Sequence, residues 1–297
     1  MTKLRQQMLE ELQRRNYSET TIRGYILAIK QFAEYFGQAP DRLGATHVKR
    51  FQWYLLQERK LDPGTVEVRM SALRFFFKKM LKRRDMHFDD LPFPKRPQKL
   101  PTILSPEEVS RMIDGTTNLM HRTLLMVLYG TGVRRKELSL LKLADIDSKR
   151  MVVHIRQGKG SRDRDIPLSP KLLEALREYW LWKKPRLYLF PSTEGRRGVE
   201  APMSDKVVWW AVGEAARRAG ITRKIGPHTF RHTFATELLE TGTDLRAIQL
   251  LMGHARLEDT TLYLHLSRRH LKMAINPLDQ LQAQNPPPVA GTEDQPS

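Results

Sequence analysis

The sequence predicts a mainly α-helical protein with a small β component: an all-helical first domain followed by a mixed α/β, mostly helical second domain. Three observations predict it. Apolar residues recur at helical spacing through most of the chain, a single pair of β-prone segments flanks a glycine turn, and a proline-rich stretch separates two such regions. At 297 residues, 40% of them apolar, the chain has material for two cores of ordinary size. The expected boundaries are 1–90 for the helical domain, 91–101 for a linker, 102–280 for the second domain and 281–297 for a disordered tail.

In the first domain Ser18 offers an N-cap, and Ile22, Tyr25, Ile26, Ile29, Phe32, Ala33 and Phe36 then form one apolar stripe, with Arg23 and Lys30 outside it. A shorter pattern runs through Val48, Phe51 and Leu55. Pro63-Gly64 breaks the chain before a further helix through Val66, Met70, Leu73, Phe77, Met80 and Leu81. Lys78, Lys79, Lys82, Arg83 and Arg84 crowd positive charge near its end. Singly each fits a solvated face favoured by the helix dipole; as a group they read as a phosphate-facing surface.

Pro92, Pro94, Pro97 and Pro101 disfavour helix and mark an extended connection. Ser105-Pro106-Glu107-Glu108 then reads as N-cap, N1 proline and acidic N3 residue, which starts a helix. Residues 151–155 and 164–167 have strand character on either side of Gly158-Lys159-Gly160, predicting a hairpin with Lys159 at its tip. Helices are expected around 171–182, 204–219, 229–240 and 245–252, and the polar, proline-rich residues after Asn276-Pro277 are expected to be disordered.

A formal net charge of +18 and a pI near 10.2 favour an anionic polymer as partner, because each Lys or Arg that neutralises a phosphate releases a counterion. A membrane surface is the competing partner, but apolar runs such as 124–129 fall far short of the roughly 20 residues a bilayer span needs. Met1-Thr2-Lys3-Leu4-Arg5 leads into charged residues, with no secretory leader to be read. The absence of cysteine excludes disulfides, thiolate chemistry and cysteine-based zinc sites. A cytoplasmic protein is expected.

Four stretches of the second domain carry chemistry: Gly130-Thr131-Gly132-Val133-Arg134-Arg135-Lys136-Glu137-Leu138, Gly158-Lys159-Gly160, His228-Thr229-Phe230-Arg231-His232, and Gly253-His254 followed by Thr260-Thr261-Leu262-Tyr263. Arg134 follows a glycine turn and leads a helix, which can hold its side chain at a surface. His228 and Arg231, three apart on a helix, share a face and can converge on one phosphate. Each residue has a plainer role: Arg134 as an exposed arginine, Lys159 as edge-strand protection, Tyr263 as a packed ring with its hydroxyl at a rim. His228 and His232, four apart, also have metal-ligand spacing, although no glutamate stands between them as in a zinc peptidase helix and the adjacent arginine repels a divalent cation.

In this order and spacing the four stretches resemble the tyrosine recombinase, or phage integrase, family. Its signature is an arginine in a Thr-Gly-x-Arg turn, a hairpin lysine, His-x-x-Arg, a later His or Trp, and a tyrosine. The nearest look is to bacterial Xer-type recombinases and integron integrases. That look rests on Gly158-Lys159-Gly160-Ser161-Arg162-Asp163-Arg164, Thr229-Phe230-Arg231-His232-Thr233-Phe234-Ala235-Thr236 and Asn276-Pro277-Leu278-Asp279. Arg135-Lys136 before Glu137, where a small residue is frequent, and Met252 before Gly253 depart from the common pattern.

The resemblance implies a DNA recombinase or integrase whose helical first domain, the core-binding domain, and catalytic second domain clamp double-stranded DNA. Tyr263 would be the nucleophile and form a 3′-phosphotyrosine. Arg134 and Arg231 would bind the non-bridging oxygens, His228 would take the tyrosine proton, Lys159 would protonate the leaving 5′-oxygen, and His254 would hydrogen-bond the scissile phosphate. Glu137 and His232 would support the site. No cofactor, metal or ATP is implied, and GxxxxGK[ST] is absent from the chain. A homotetramer on synapsed DNA is implied, with a monomer off DNA and an accessory or partner recombinase left open, in a cytoplasmic, nucleoid-associated bacterial setting. A non-catalytic DNA-binding protein and a metal-dependent nuclease using His228, His232 and His254 stand as alternatives.

Overall fold

The structure is a computed structural model that describes residues 3–85, 88, 100–156, 163–192 and 200–267. Its elements are mostly helices, with one small sheet, and they group into two units, Met1–Lys99 and Leu100–Ser297.

In the first unit α1 (Lys3–Arg14), α2 (Glu19–Phe36), α3 (Ala45–Trp53) and α4 (Pro63–Arg74) surround a core that includes Met8, Leu12, Phe32, Phe51, Val66, Phe76 and Phe77. Ser18 caps α2 by accepting from the Thr21 amide, and Gly37 closes it in the left-handed conformation. Pro63, expected as a breaker, is instead the first residue of α4. Asp62 accepts the Gly64 amide at 2.9 Å, and proline is suited to N1, where its missing N–H is no loss.

The helix expected through Leu81 changes character after α4, because residues Phe75–Met80 form wider π-helical turns. Phe75, Phe76 and Phe77 are all buried there, an outcome that successive 100° steps of an α-helix resist. Arg83 corrects the basic-surface expectation. Its guanidinium donates to Leu43 O at 2.7 Å and Asp41 O at 3.2 Å, pairs with Asp85 and lies 5.7 Å from the Phe77 ring, so it staples the unit together. Lys79, Lys82 and Arg84 are exposed.

The second unit opens with α5 (Pro106–Asp114), whose Ser105–Glu108 capping box forms with Pro106 at N1. α6 (Leu119–Thr131) and α7 (Arg135–Leu140) follow, then β1 (Ile146–Asp147), β2 (Val152–Ile155) and β3 (Arg164–Pro167) in one antiparallel sheet of order β1-β2-β3. The strand β1 was not expected, since two residues carry no readable alternation. Ile155 pairs Arg164 and Val153 pairs Ile166, which turns Val153, Ile155 and Ile166 into the core. The expected hairpin strands are present, whereas Lys159 and its turn lie outside the described residues, as do 91–99 of the linker and the tail.

The chain continues through α8 (Pro170–Lys183), α9 (Asp205–Arg218), α10 (Pro227–Glu240), α11 (Leu245–Met252) and α12 (Glu258–Thr261), which runs into a 3₁₀ turn, Leu262–His265. α10 is central. Its Thr229, Phe230, Arg231, Thr233, Ala235, Thr236 and Leu239 are buried, and it packs on α6, α9, α11 and the final turn. Among the described residues no helix is long and apolar enough to cross a membrane.

Candidate active site

The ends of α6 and α11 and the buried helix α10 assemble the site. Each of the first two ends in a glycine with positive φ, Gly132 at 59° and Gly253 at 60°. A Cβ on Gly132 would lie 2.3 Å from Phe234 Cδ1, so both conformation and space demand glycine there.

Those two caps present carbonyls to arginines. Arg231, 4% exposed, donates from Nη1 to Gly132 O at 2.6 Å and from Nη2 to Met252 O. Arg134, the N-cap residue of α7, donates from Nη2 to Gly253 O at 2.9 Å. Both guanidiniums therefore sit on the negative ends of helix dipoles, which offsets part of the cost of burying positive charge. Burial, with Arg134 beside it, lowers the Arg231 pKa to about 9, so the group remains cationic at neutral pH.

Glu137 binds the assembly from below. It accepts the Arg134 amide at 2.8 Å and Arg134 Nη1 at 2.8 Å, and it takes two further bonds from Arg164, at 3.1 and 2.7 Å. Burial alone would raise its pKa, but Arg164 and Arg134 overcome that effect and hold the carboxyl at about 2. This carboxylate stays ionised.

Tyr263 is 1% exposed and packs with Ala235, Leu239, Ile248 and Met252. Its hydroxyl lies 3.2 Å from His232 Nδ1, and the His254 ring stacks parallel to it at 6.2 Å between centroids. His254 is oriented in turn by a 2.9 Å bond between Nδ1 and Thr260 Oγ1. Burial raises the Tyr263 pKa while Arg231 and Arg134 pull it down. His232 and His254 are each depressed to about 4, by burial first; the next causes are His228 and Arg231 for His232, and Arg231 and Arg134 for His254. Both are neutral at pH 7. A neutral His232 can accept the phenol proton at Nδ1 if its own proton is on Nε2.

The structure thus brings together Arg134, Glu137, Arg231, His232, His254 and Tyr263. His228 stands at the exposed start of α10, its pKa lowered by desolvation and by Arg231, Arg135 and Arg134. His232, expected only to buttress the helix, is the imidazole that meets the Tyr263 hydroxyl. Among the described residues no three His, Asp or Glu side chains stand close enough to hold a metal ion, so the histidines invoked for a metal nuclease do not form a ligand set. Sequence reasoning missed the roles of Arg164 and Thr260. For Arg164 a signal existed: strand alternation puts it on the same inward face as Ile166.

Comparison with known proteins agrees with this architecture. The phage integrase family matches residues 102–270, and the N-terminal SAM-like domain of phage integrases matches residues 4–85. The chain is 42% identical to a putative integrase/recombinase, y4qK, of Sinorhizobium fredii, over 97% of this chain and 93% of that one. It is 35% identical to the tyrosine recombinase XerA of Pyrococcus furiosus, over 94% and 96%. It is similar in fold, with a TM-score of 0.69 at 24% identity, to the XerH site-specific recombinase in a post-cleavage complex with its difH substrate, covering 89% of this chain and 82% of that one. The class so defined is that of the tyrosine-type site-specific recombinases, and the chain belongs to the phage integrase family.

Proposed function

We propose that this protein binds double-stranded DNA and recombines it by two transesterifications through Tyr263. The observation that carries the reading is the convergence of the Tyr263 phenol with two arginines held on helix C-terminal carbonyls and two neutral histidines. The DNA-bound state of the similar XerH structure and the charge of +18 support DNA as the partner.

Tyr263 Oη attacks the scissile phosphorus, the bond from phosphorus to the 5′-oxygen breaks, and the 3′ end is left joined to the tyrosine. Arg134 and Arg231, five N–H donors each, bind the non-bridging oxygens as charge accumulates on them. The phenol proton must leave as attack proceeds. His232 holds it in the resting arrangement, and His228, on the exposed edge of α10, takes it once Tyr263 has moved to the phosphate. Lys159 gives its proton to the departing 5′-oxygen, and His254 donates to the scissile phosphate. A 5′-hydroxyl of a second duplex then attacks the phosphotyrosine, restoring a phosphodiester and freeing Tyr263. The ester conserves the bond, so neither ATP nor a metal ion enters the scheme. Synapsis of two duplexes calls for four protomers, a homotetramer assembled on DNA from monomers, with or without a partner recombinase, at the nucleoid in the cytoplasm.

The test is to incubate the protein with sheared DNA of its source organism in excess chelator, denature in SDS and capture protein-linked DNA. The expected result is a protease-sensitive covalent complex whose sequenced ends cluster at one site. Cleavage that requires added divalent metal and leaves no protein on the ends would support the metal-nuclease reading. Salt-sensitive binding without cleavage under any condition would support a DNA-binding protein that lacks this chemistry.

A further inference from the structure

Arg164 has no place in the reaction drawn above, yet its side chain is as buried as that of Glu137, both 7% exposed. Three elements meet on it. It is the first residue of β3, its fork grips both Glu137 oxygens at 3.1 and 2.7 Å, and its Nε donates to Leu251 O at 2.7 Å in the last turn of α11. It also fills the space over Gly253, where a Cβ would come within 3.1 Å of Nη1 and 3.2 Å of Cδ. Glu137 holds Arg134, and Arg134 holds the Gly253 carbonyl, so Arg164, Glu137, Arg134 and Gly253 close a ring.

From this ring we infer that Arg164 is a positioning residue for DNA strand cleavage, fixing the Arg134 guanidinium and tying the return strand of the hairpin to the turn that carries His254. The inference rests on the recombinase reading above. Arg134 reaches the two Glu137 oxygens only from its own amide and one end of its guanidinium, whereas the Arg164 fork, coming from another element, adds a bidentate grip that fixes the plane of the carboxylate. With Arg164 gone, Glu137 would draw the whole Arg134 fork onto itself and turn it from Gly253. Lysine in its place would keep the charge but not the fork.

The test compares Arg164→Lys and Arg164→Met with Arg156→Lys, a control just past the end of β2 whose exposed guanidinium pairs Asp145 at 2.8 Å. The first readout is the ¹⁵N–¹H spectrum of the arginine side chains, with the Arg134 signal assigned from Arg134→Lys. A restrained Arg134 signal is expected in the wild type and the control, and its loss or broadening in Arg164→Lys.

The second readout is single-turnover cleavage of a nicked duplex carrying the mapped site, with the scissile group either a phosphodiester or an uncharged methylphosphonate. Arg164→Lys is expected to slow phosphodiester cleavage about 10- to 100-fold, by analogy with outer-shell partners of metal ligands. The loss should shrink on methylphosphonate, as for Arg134→Lys, because less charge has to be met. A folding defect would depress both substrates equally. Melting curves show whether Arg164→Met folds; if it does not, Arg164→Lys carries the test. An unchanged Arg134 signal in Arg164→Lys, or equal losses on the two substrates, overturns the inference. If the wild type forms no covalent complex with either DNA, the recombinase reading fails, and the spectra still decide whether Arg164 positions Arg134.

Discussion

At the scale of single residues, Glu137 turns the site into a measurable stability term. Its carboxyl titrates at about 2 in the folded protein against 4.5 for an unperturbed glutamate, a difference of roughly 3 kcal/mol. Because the folded value is depressed, that stabilisation is present above about pH 4.5 and is lost as pH falls toward 2. Glu137→Gln is therefore expected to lower stability at pH 7 by about 3–5 kcal/mol, leaving Arg164 buried without its charge partner, and to flatten the acid limb of urea denaturation curves. An unchanged limb would mean the pairing is not formed. The histidines act in a different window. His232 and His254 are held at about 4, below the ordinary 6.5, so between these values the unfolded chain binds protons that the folded one does not. Stability should fall as pH drops from 6.5 to 4, and His232→Gln or His254→Gln should lessen that fall relative to the wild type. The residue types and spacing of this site were legible in the sequence, because a Thr-Gly-x-Arg turn and His-x-x-Arg are local patterns. Partnership was not: whether His228 or His232 meets the phenol depends on how α10 is rotated, and the Glu137–Arg164 pair joins positions 27 apart.

At the scale of elements, caps explain why the helices begin and end where they do, and caps were the most readable feature. Ser18 and Ser105 act where their sequence context predicts, while Pro63 shows the same rule from the other side, since a proline that ends one segment can begin the next. The wide turns at Phe75–Met80 were not legible, because three consecutive phenylalanines give no period and the surrounding core decides their burial. The cap at Gly132 is the sharpest case for experiment. Gly132→Ala combines left-handed strain with a clash on Phe234 and should cost about 2–5 kcal/mol while displacing the carbonyl that holds Arg231. Adding Phe234→Ala should recover the steric part, so a double-mutant cycle on melting data is expected to show a favourable coupling of about 1–3 kcal/mol. Additive losses would place the cost in backbone strain alone.

At the scale of the whole molecule, the division into a helical unit and a mostly helical unit with one sheet was legible from the periodicity and the hairpin. The charge of +18 makes a quantitative demand: log affinity for duplex DNA should fall linearly with log salt, by about 0.9 per phosphate neutralised. Tyr263→Phe removes no positive charge and should keep that slope. On the proposed mechanism the Tyr263 ring, 1% exposed, has to leave its pocket to reach a phosphate, so DNA is expected to raise its reactivity toward phenol-modifying reagents. The atom that joins the DNA identifies the nucleophile directly. Mass spectrometry of peptides from the trapped, nuclease-trimmed complex should find the nucleotide remnant on Tyr263, with no complex from Tyr263→Phe; a remnant on another residue, or a complex that persists in Tyr263→Phe, would contradict it.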